Sequence, residues 1–194
     1  MDINQLIARR LRELRDAHGL SLALLAERSG VSRSNISLIE RGESSATATV
    51  LDKLSAALGV TVASLFEQSA DDAPSPVSRV QDQAVWTDPG SGYVRRNLSP
   101  GVYSPIQLVE VSFPAGQRVA YETGTRDAEV HQQVWLIEGR MELTVGATQW
   151  SLETGDCLAM RLDQPIVYHN PTNRPARYLV ALVTQVHKPP RREA

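Results

Sequence analysis

The stretch from Ser21 to Gly42, SLALLAERSGVSRSNISLIERG, constrains this chain more than any other. It specifies two short helices joined by a tight turn. Ser21 is placed to cap the first, since its hydroxyl can accept a bond from an unpaired first-turn amide. Leu25 and Ala26 face inward, and Ala26 is small enough to let a second helix cross closely. Gly30 ends that helix, because the sharp exit needs a positive φ that glycine adopts freely. Ser32 caps the next helix. Ile36 and Ile39 point back at Leu25 and leave Arg33, Ser34 and Ser37 on the far side. That far face is short, polar and open. A helix presenting its N-terminal half this way can lie in the major groove of B-DNA.

A hairpin that merely packs does not need Ser, Leu-Ala, Gly-Val-Ser, Ile and Glu-x-Gly all in step. With these residues together, the stretch resembles the phage-repressor-like helix-turn-helix domain of the XRE class of bacterial regulators, over roughly the first 68 residues. The resemblance implies an all-α, five-helix head. It also implies that Arg15 lies beside Glu40 at the end of the recognition helix, and that the Arg41 loop leans on the phosphate backbone. The periodicity of the residues agrees with such a head. Ile3, Leu6, Ile7, Leu11 and Leu14 recur at helical spacing between Asp2 and Gly19. Thr47 or Thr49 caps a fourth helix with Val50, Leu54, Ala57 and Leu58 inward, and Thr61 opens a fifth ending near Phe66.

Charge speaks against a simple electrostatic DNA binder. Residues 1–68 hold eight Lys or Arg and eight Asp or Glu, so the head is neutral. Counterion release depends on charges placed opposite phosphates rather than on the total, so a modest salt slope and a need for dimerisation are expected. The candidate DNA contacts are Ser21, Ser32, Arg33, Ser34, Asn35, Ser37 and Arg41. Arg33 is the expected base reader, most naturally of guanine, with Ser34 and Ser37 assisting. Ser21 and Arg41 fix register on the backbone.

Composition changes at Glu67. The stretch EQSADDAPSPVS is small, acidic and without periodicity, and reads as a linker. The expected division is a head of residues 1–68, a linker of 69–79, a β domain of 80–187 and a tail of 188–194. Strand-like runs follow at Ile106–Phe113, Val130–Glu138, Arg140–Val145, Thr148–Leu152, Asp156–Met160, Ile166–His169 and Arg177–Thr184. Many short strands with tight turns favour a double-sheet jelly roll. WLIEGRMELTVG, then ETGDCLAM, then a strand ending in His-Asn-Pro, resembles the cupin barrel, a double-stranded β-helix.

A metal-bearing cupin carries a His-x-His pair and a glutamate on one strand and a histidine on a later one. By that family's spacing the glutamate position falls on Gln132, the His-x-His positions fall within Thr125–Ala128, and the later histidine position falls near Ile166. None of the four ligands is present, so no metal and no cofactor are expected. His131 and His169 lie next to motif positions and would face inward only through a register slip or bulge. His18 and His187 read as surface residues, and Cys157 as a buried small hydrophobe. A barrel without metal can still bind a small molecule. The candidate pocket residues are Tyr121, Gln132, Val134, Arg161, Tyr168 and His169, with Gln132 the foremost by position.

The function expected from these residues is a homodimeric, sequence-specific regulator of transcription. It would bind a pseudo-palindromic operator in double-stranded DNA and sense an unknown small-molecule effector. Two alternatives stand beside it. One is a metalloenzyme of the hydroxypropylphosphonate epoxidase type, which shares the two-domain pairing but needs the missing ligands. The other is a β domain that only dimerises. The single cysteine rules out an internal disulfide framework. No apolar run reaches transmembrane length, and MDINQLIARR lacks a signal peptide's apolar core, so a cytoplasmic protein that does not engage membranes is expected.

Overall fold

The computed structural model of the chain describes residues 2–67, 75–122 and 129–185. Residue 68 at the end of the expected head, residues 69–74 of the expected linker, the Thr125–Ala128 positions, His187 and the tail of 188–194 lie outside the described residues.

The head begins with α1 (Ile3–Ala17), started by the Asp2 carboxylate accepting the Asn4 amide at 3.1 Å. In α2 (Leu22–Ser29) the Ser21 hydroxyl accepts the Leu24 amide at 3.1 Å. That helix ends at Gly30, whose φ of 67° lets its amide return to the Ala26 carbonyl. Ser32 caps α3 (Arg33–Glu40), and Thr47, rather than Thr49, caps α4 (Ala48–Ala57). Leu11, Leu25, Ile36, Ile39, Leu51 and Leu54 form the centre of the head.

Two expectations for the head need correction. Thr61 does open a further element, but Val62–Phe66 is a 3-10 turn and not a fifth α-helix. The Ser64 amide bonds the Thr61 carbonyl at 3.1 Å, an i to i+3 closure, and so short a segment gains little from α geometry. In α4, Val50 and Ala57 are only partly buried, whereas Leu51 and Asp52 are buried. The helix is covered on two sides, by the head's own core and by the β domain.

The β half contains β1 (Val85–Thr87), β2 (Val94–Asn97), β3 (Ile106–Phe113), β4 (Arg118–Tyr121) and β5 (Glu129–Glu138). It continues with β6 (Arg140–Val145), β7 (Thr148–Glu153), β8 (Cys157–Arg161), β9 (Ile166–His169) and β10 (Ala176–Gln185). All pairings are antiparallel and make two sheets, in the orders β1-β2-β3-β10-β5-β8 and β4-β9-β6-β7. β10 is the spine of the larger sheet, with Val180 opposite Val109 on one side and Val134 on the other. Along β5 the even residues Val130, Gln132, Val134 and Leu136 are buried, while Gln133 and Trp135 are exposed. Gly139 turns β5 into β6 at φ 91°, where a Cβ would lie 3.0 Å from the Ala176 Cα.

The head meets the β domain through α4 and the 3-10 turn. The Ala48 amide donates to Asp88 Oδ1 at 2.8 Å, and the Thr49 hydroxyl to the Ala120 carbonyl at 3.3 Å. The Thr61 hydroxyl donates to Gln107 Oε1 at 2.7 Å, and the Gln107 amide in turn to Glu67 Oε1 at 2.7 Å. Phe66 sets its edge against Trp86 at a centroid distance of 5.8 Å. Trp86 continues to Tyr93, and Tyr93 stacks on Phe113. One row of rings therefore runs from the head into the sheets. No helix among the described residues is long and apolar enough to cross a membrane.

Candidate functional site

Two places in the molecule carry chemistry: the outer face of α3 and a cavity closed on one side by the head. Arg33 and Ser34 are exposed at the start of α3, and Ser37 one turn later is half-buried. The Ser32 hydroxyl accepts the Asn35 amide at 3.3 Å and lies 3.2 Å from the Ser34 hydroxyl. Beyond the helix, Arg41 sends Nε and Nη2 to the two Glu43 carboxylate oxygens at 2.9 and 2.8 Å and Nη1 to the Ser37 hydroxyl. The hydrogen bond from Arg41 holds the Glu43 carboxyl below the usual carboxylate range.

Arg15 fixes the far end of α3. Its Nε and Nη2 donate to the Glu40 carboxylate at 2.7 and 2.9 Å, and its Nη1 to the Leu20 carbonyl at 2.9 Å. The Glu40 side chain is 4% exposed, so this is a buried bidentate tie between α1 and α3. The outer face of α3 is thus held from beneath, and the β domain meets other elements of the head.

The cavity has a volume of about 80 Å³. The β domain contributes Tyr93, Arg95, Tyr121, Gln132, Tyr168 and Tyr178 to its wall; the head contributes Asp52 of α4 and Thr61, which caps the 3-10 turn. The Gln132 amide donates to the Tyr168 hydroxyl, the Tyr93 and Tyr121 hydroxyls lie 3.0 Å apart, and Tyr168 stacks on Tyr178. Loss of water pushes all four tyrosine hydroxyls above their ordinary value and lowers the Arg95 guanidinium from its own.

Of the expected pocket residues, Tyr121, Gln132 and Tyr168 meet in this cavity. Val134 is buried but packs in the core without lining it. Arg161 and His169 do not reach it, and their inclusion is corrected. Arg161 is exposed, pairing with Glu129 at 3.1 Å and Asp163 at 2.7 Å. His169 follows the inward Tyr168, so strand alternation turns it away, and its Nδ1 lies 3.0 Å from Glu142. His131 is likewise turned off the inward face of β5 and lies 3.2 Å from Glu129. Among the described residues no three His, Cys, Asp or Glu side chains gather as metal ligands would. Cys157, expected in the interior, is exposed: β8 is the edge of the larger sheet, and its neighbour across the ladder is the exposed Trp135.

Residues 11–65, from α1 to the 3-10 turn, match the helix-turn-helix family HTH_3. That match covers the helix-turn-helix part of the chain, and two proteins similar to the chain over most of its length are named transcriptional regulators. The chain is 29% identical to the HTH-type transcriptional regulator SutR of Escherichia coli (strain K12), over 82% of this chain and 84% of that protein. It is also 29% identical to the HTH-type transcriptional regulator PuuR of the same organism, over 84% of this chain and 86% of that one. A crystal structure of an HTH_3 family transcriptional regulator from Vibrio cholerae superposes with a TM-score of 0.73 at 24% identity. That match covers 93% of this chain and 96% of the other, so the helical head and β domain together form a shared fold.

Sequence reasoning missed Arg95, Tyr93, Tyr178 and Asp52 in the cavity. A signal for the first two exists in GYVRRN. Tyr93 and Arg95 stand two apart and share a strand face, and Arg95 and Arg96 are adjacent, so one of the two arginines must turn inward in a two-layer domain. Asp52 has no such signal, because its burial depends on a domain packed from outside.

Proposed function

We propose that the regulator binds double-stranded DNA in a sequence-specific way as a homodimer, and that its cavity takes a small-molecule effector. In this reading residues 1–68 form the DNA-binding domain, with the 3-10 turn in place of the fifth helix. Residues 80–187 form a cupin-type jelly-roll sensor without a resident metal, and the protein works in the cytoplasm. The observation that carries the reading is the outer face of α3. Arg33 and Ser34 stand exposed at its N-terminal end, while its inner face is fixed by Ile36, Ile39 and the Arg15–Glu40 tie.

Arg33 is assigned to a guanine edge, with Ser34, Asn35 and Ser37 beside it at bases or phosphates. Ser21, Ser32 and Arg41 are assigned to the backbone. A two-fold dimer predicts half-sites about one helical turn apart. Binding-site selection on the full chain tests this. The native protein should recover a pseudo-palindrome, and Arg33→Ala should relax the preference at one symmetric position of each half-site. An unchanged preference overturns the Arg33 assignment.

A further inference from the structure

We propose that the cavity between the β domain and the head binds a small carboxylate anion, with the Arg95 guanidinium as its partner. The inference rests on the effector reading above and adds the chemical class of the ligand.

Arg95 is 9% exposed, and its Nε and Nη2 are buried with no hydrogen-bond partner among the described residues. Its guanidinium lies 5.2 Å from the centre of the Phe66 ring, the aromatic end of the head. A cation kept from water with donors unused is costly, and a planar two-oxygen anion satisfies a guanidinium fork. The neighbouring polar groups suit the same ligand, since tyrosine hydroxyls and the Gln132 amide can donate to carboxylate oxygens.

Size and charge narrow the class. About 80 Å³ holds on the order of five waters at ~15 Å³ each, which is room for a molecule of a few heavy atoms. The remaining wall is apolar, with Val111, Ile166, Val180 and Leu182, so a short hydrocarbon tail is accommodated. The lining holds one guanidinium, Arg95, and one carboxylate, Asp52, so it carries too little positive charge for a phosphate dianion and suits at most a single negative charge. Asp52 lies on α4, four residues after the Ala48 amide that Asp88 caps. An anion seated on Arg95 repels Asp52 and so bears directly on a helix of the DNA-binding head. Differential affinity of this kind is what shifts a two-state equilibrium.

Propionate and propionamide have nearly the same shape and differ in charge, which makes them the probes. Thermal shift and quenching of tryptophan fluorescence on the full chain read their binding at matched ionic strength. Propionate should stabilise the native protein and propionamide should not. Arg95→Met should weaken propionate about tenfold or more, and Asp52→Asn should tighten it several-fold. Equal effects of acid and amide, or no propionate effect at all, overturn the proposal; so does full propionate affinity in Arg95→Met. If Arg95→Met does not fold, the acid–amide comparison and Asp52→Asn still decide. Operator binding by the same samples reports separately on the regulator reading: specific DNA binding without any propionate response removes this inference alone.

Discussion

Asp88, a β-domain residue, caps a helix of the helical head: its Oδ1 accepts the Ala48 amide at 2.8 Å. Its other oxygen accepts the Ser91 amide at 2.8 Å and the Ser91 hydroxyl at 2.6 Å. The loop between β1 and β2 therefore ends its own turn and the start of α4 with one side chain. Helix starts leave amides without internal partners, and here the partner comes from the other domain.

Replacing that carboxylate removes three bonds at a site that is 3% exposed. Asp88→Ala should cost about 2 kcal/mol, the size of a lost cap together with unsatisfied buried amides. Asp88→Asn, which keeps one acceptor oxygen, should lose less. Urea unfolding of the full chain measures both, and equal stability of Asp88→Ala and the native protein would show that the cap holds nothing together.

The Arg15–Glu40 pair makes a second energetic prediction. Glu40 is buried, and Arg12 reaches its carboxylate only at 3.8 Å, so loss of Arg15 leaves a nearly uncompensated charge. Arg15→Met should destabilise by about 3 kcal/mol. The double variant Arg15→Met, Glu40→Leu should recover part of that loss, because no lone charge then remains buried. A double-mutant cycle from denaturant melts checks it, and additive losses would contradict the pairing.

How far the fold is legible in the residues follows from how local each signal is. Ser21, Ser32 and Gly30 act on amides and carbonyls within four residues, so the head can be written down from the chain alone. Seven strands show themselves as strand-like runs, often bounded by turn residues; even the four-residue β9 is bracketed by Pro165 and Asn170-Pro171. β1, β2 and β4 are three or four residues long and are not bracketed in that way on both sides. The cavity is legible only in part. Gln132 follows from its place on β5, but the burial of Arg95 and Asp52 is made by segments far along the chain. Arg161 looks like an anion site in sequence because it is an arginine on a strand, yet its face of β8 is solvated.

The tyrosines predict alkaline behaviour. Burial raises the folded-state values of Tyr93, Tyr121, Tyr168 and Tyr178 above the ordinary value near 10. Below about pH 10 neither the folded nor the unfolded chain ionises them, and they add no pH dependence. Above it the unfolded chain releases protons that the folded chain keeps, so stability falls as pH rises. These four hydroxyls should therefore ionise together with unfolding. Phenolate absorbance and circular dichroism, followed from pH 9 to 12, should change in one coincident step for them. Early ionisation of four tyrosines in a still folded protein would contradict the buried cavity.

Arg41 and Glu43 make the last prediction, about affinity rather than sequence preference. Arg41 is exposed and is the residue assigned to the phosphate backbone, yet Glu43 holds it through two hydrogen bonds and offsets its charge. Any phosphate contact must compete with that carboxylate. Glu43→Gln removes the competitor and one like charge facing the DNA. Binding should strengthen several-fold at low salt, and the slope of log affinity against log salt should steepen by about one. The preferred operator should stay the same, because backbone contacts carry no base information. Arg41→Gln should do the reverse on both measures, again without changing the preferred site. Anisotropy titrations at several salt concentrations, on the selected operator and on a scrambled duplex, separate these effects from those of Arg33. If Glu43→Gln leaves affinity and slope where they were, Arg41 does not approach the phosphates.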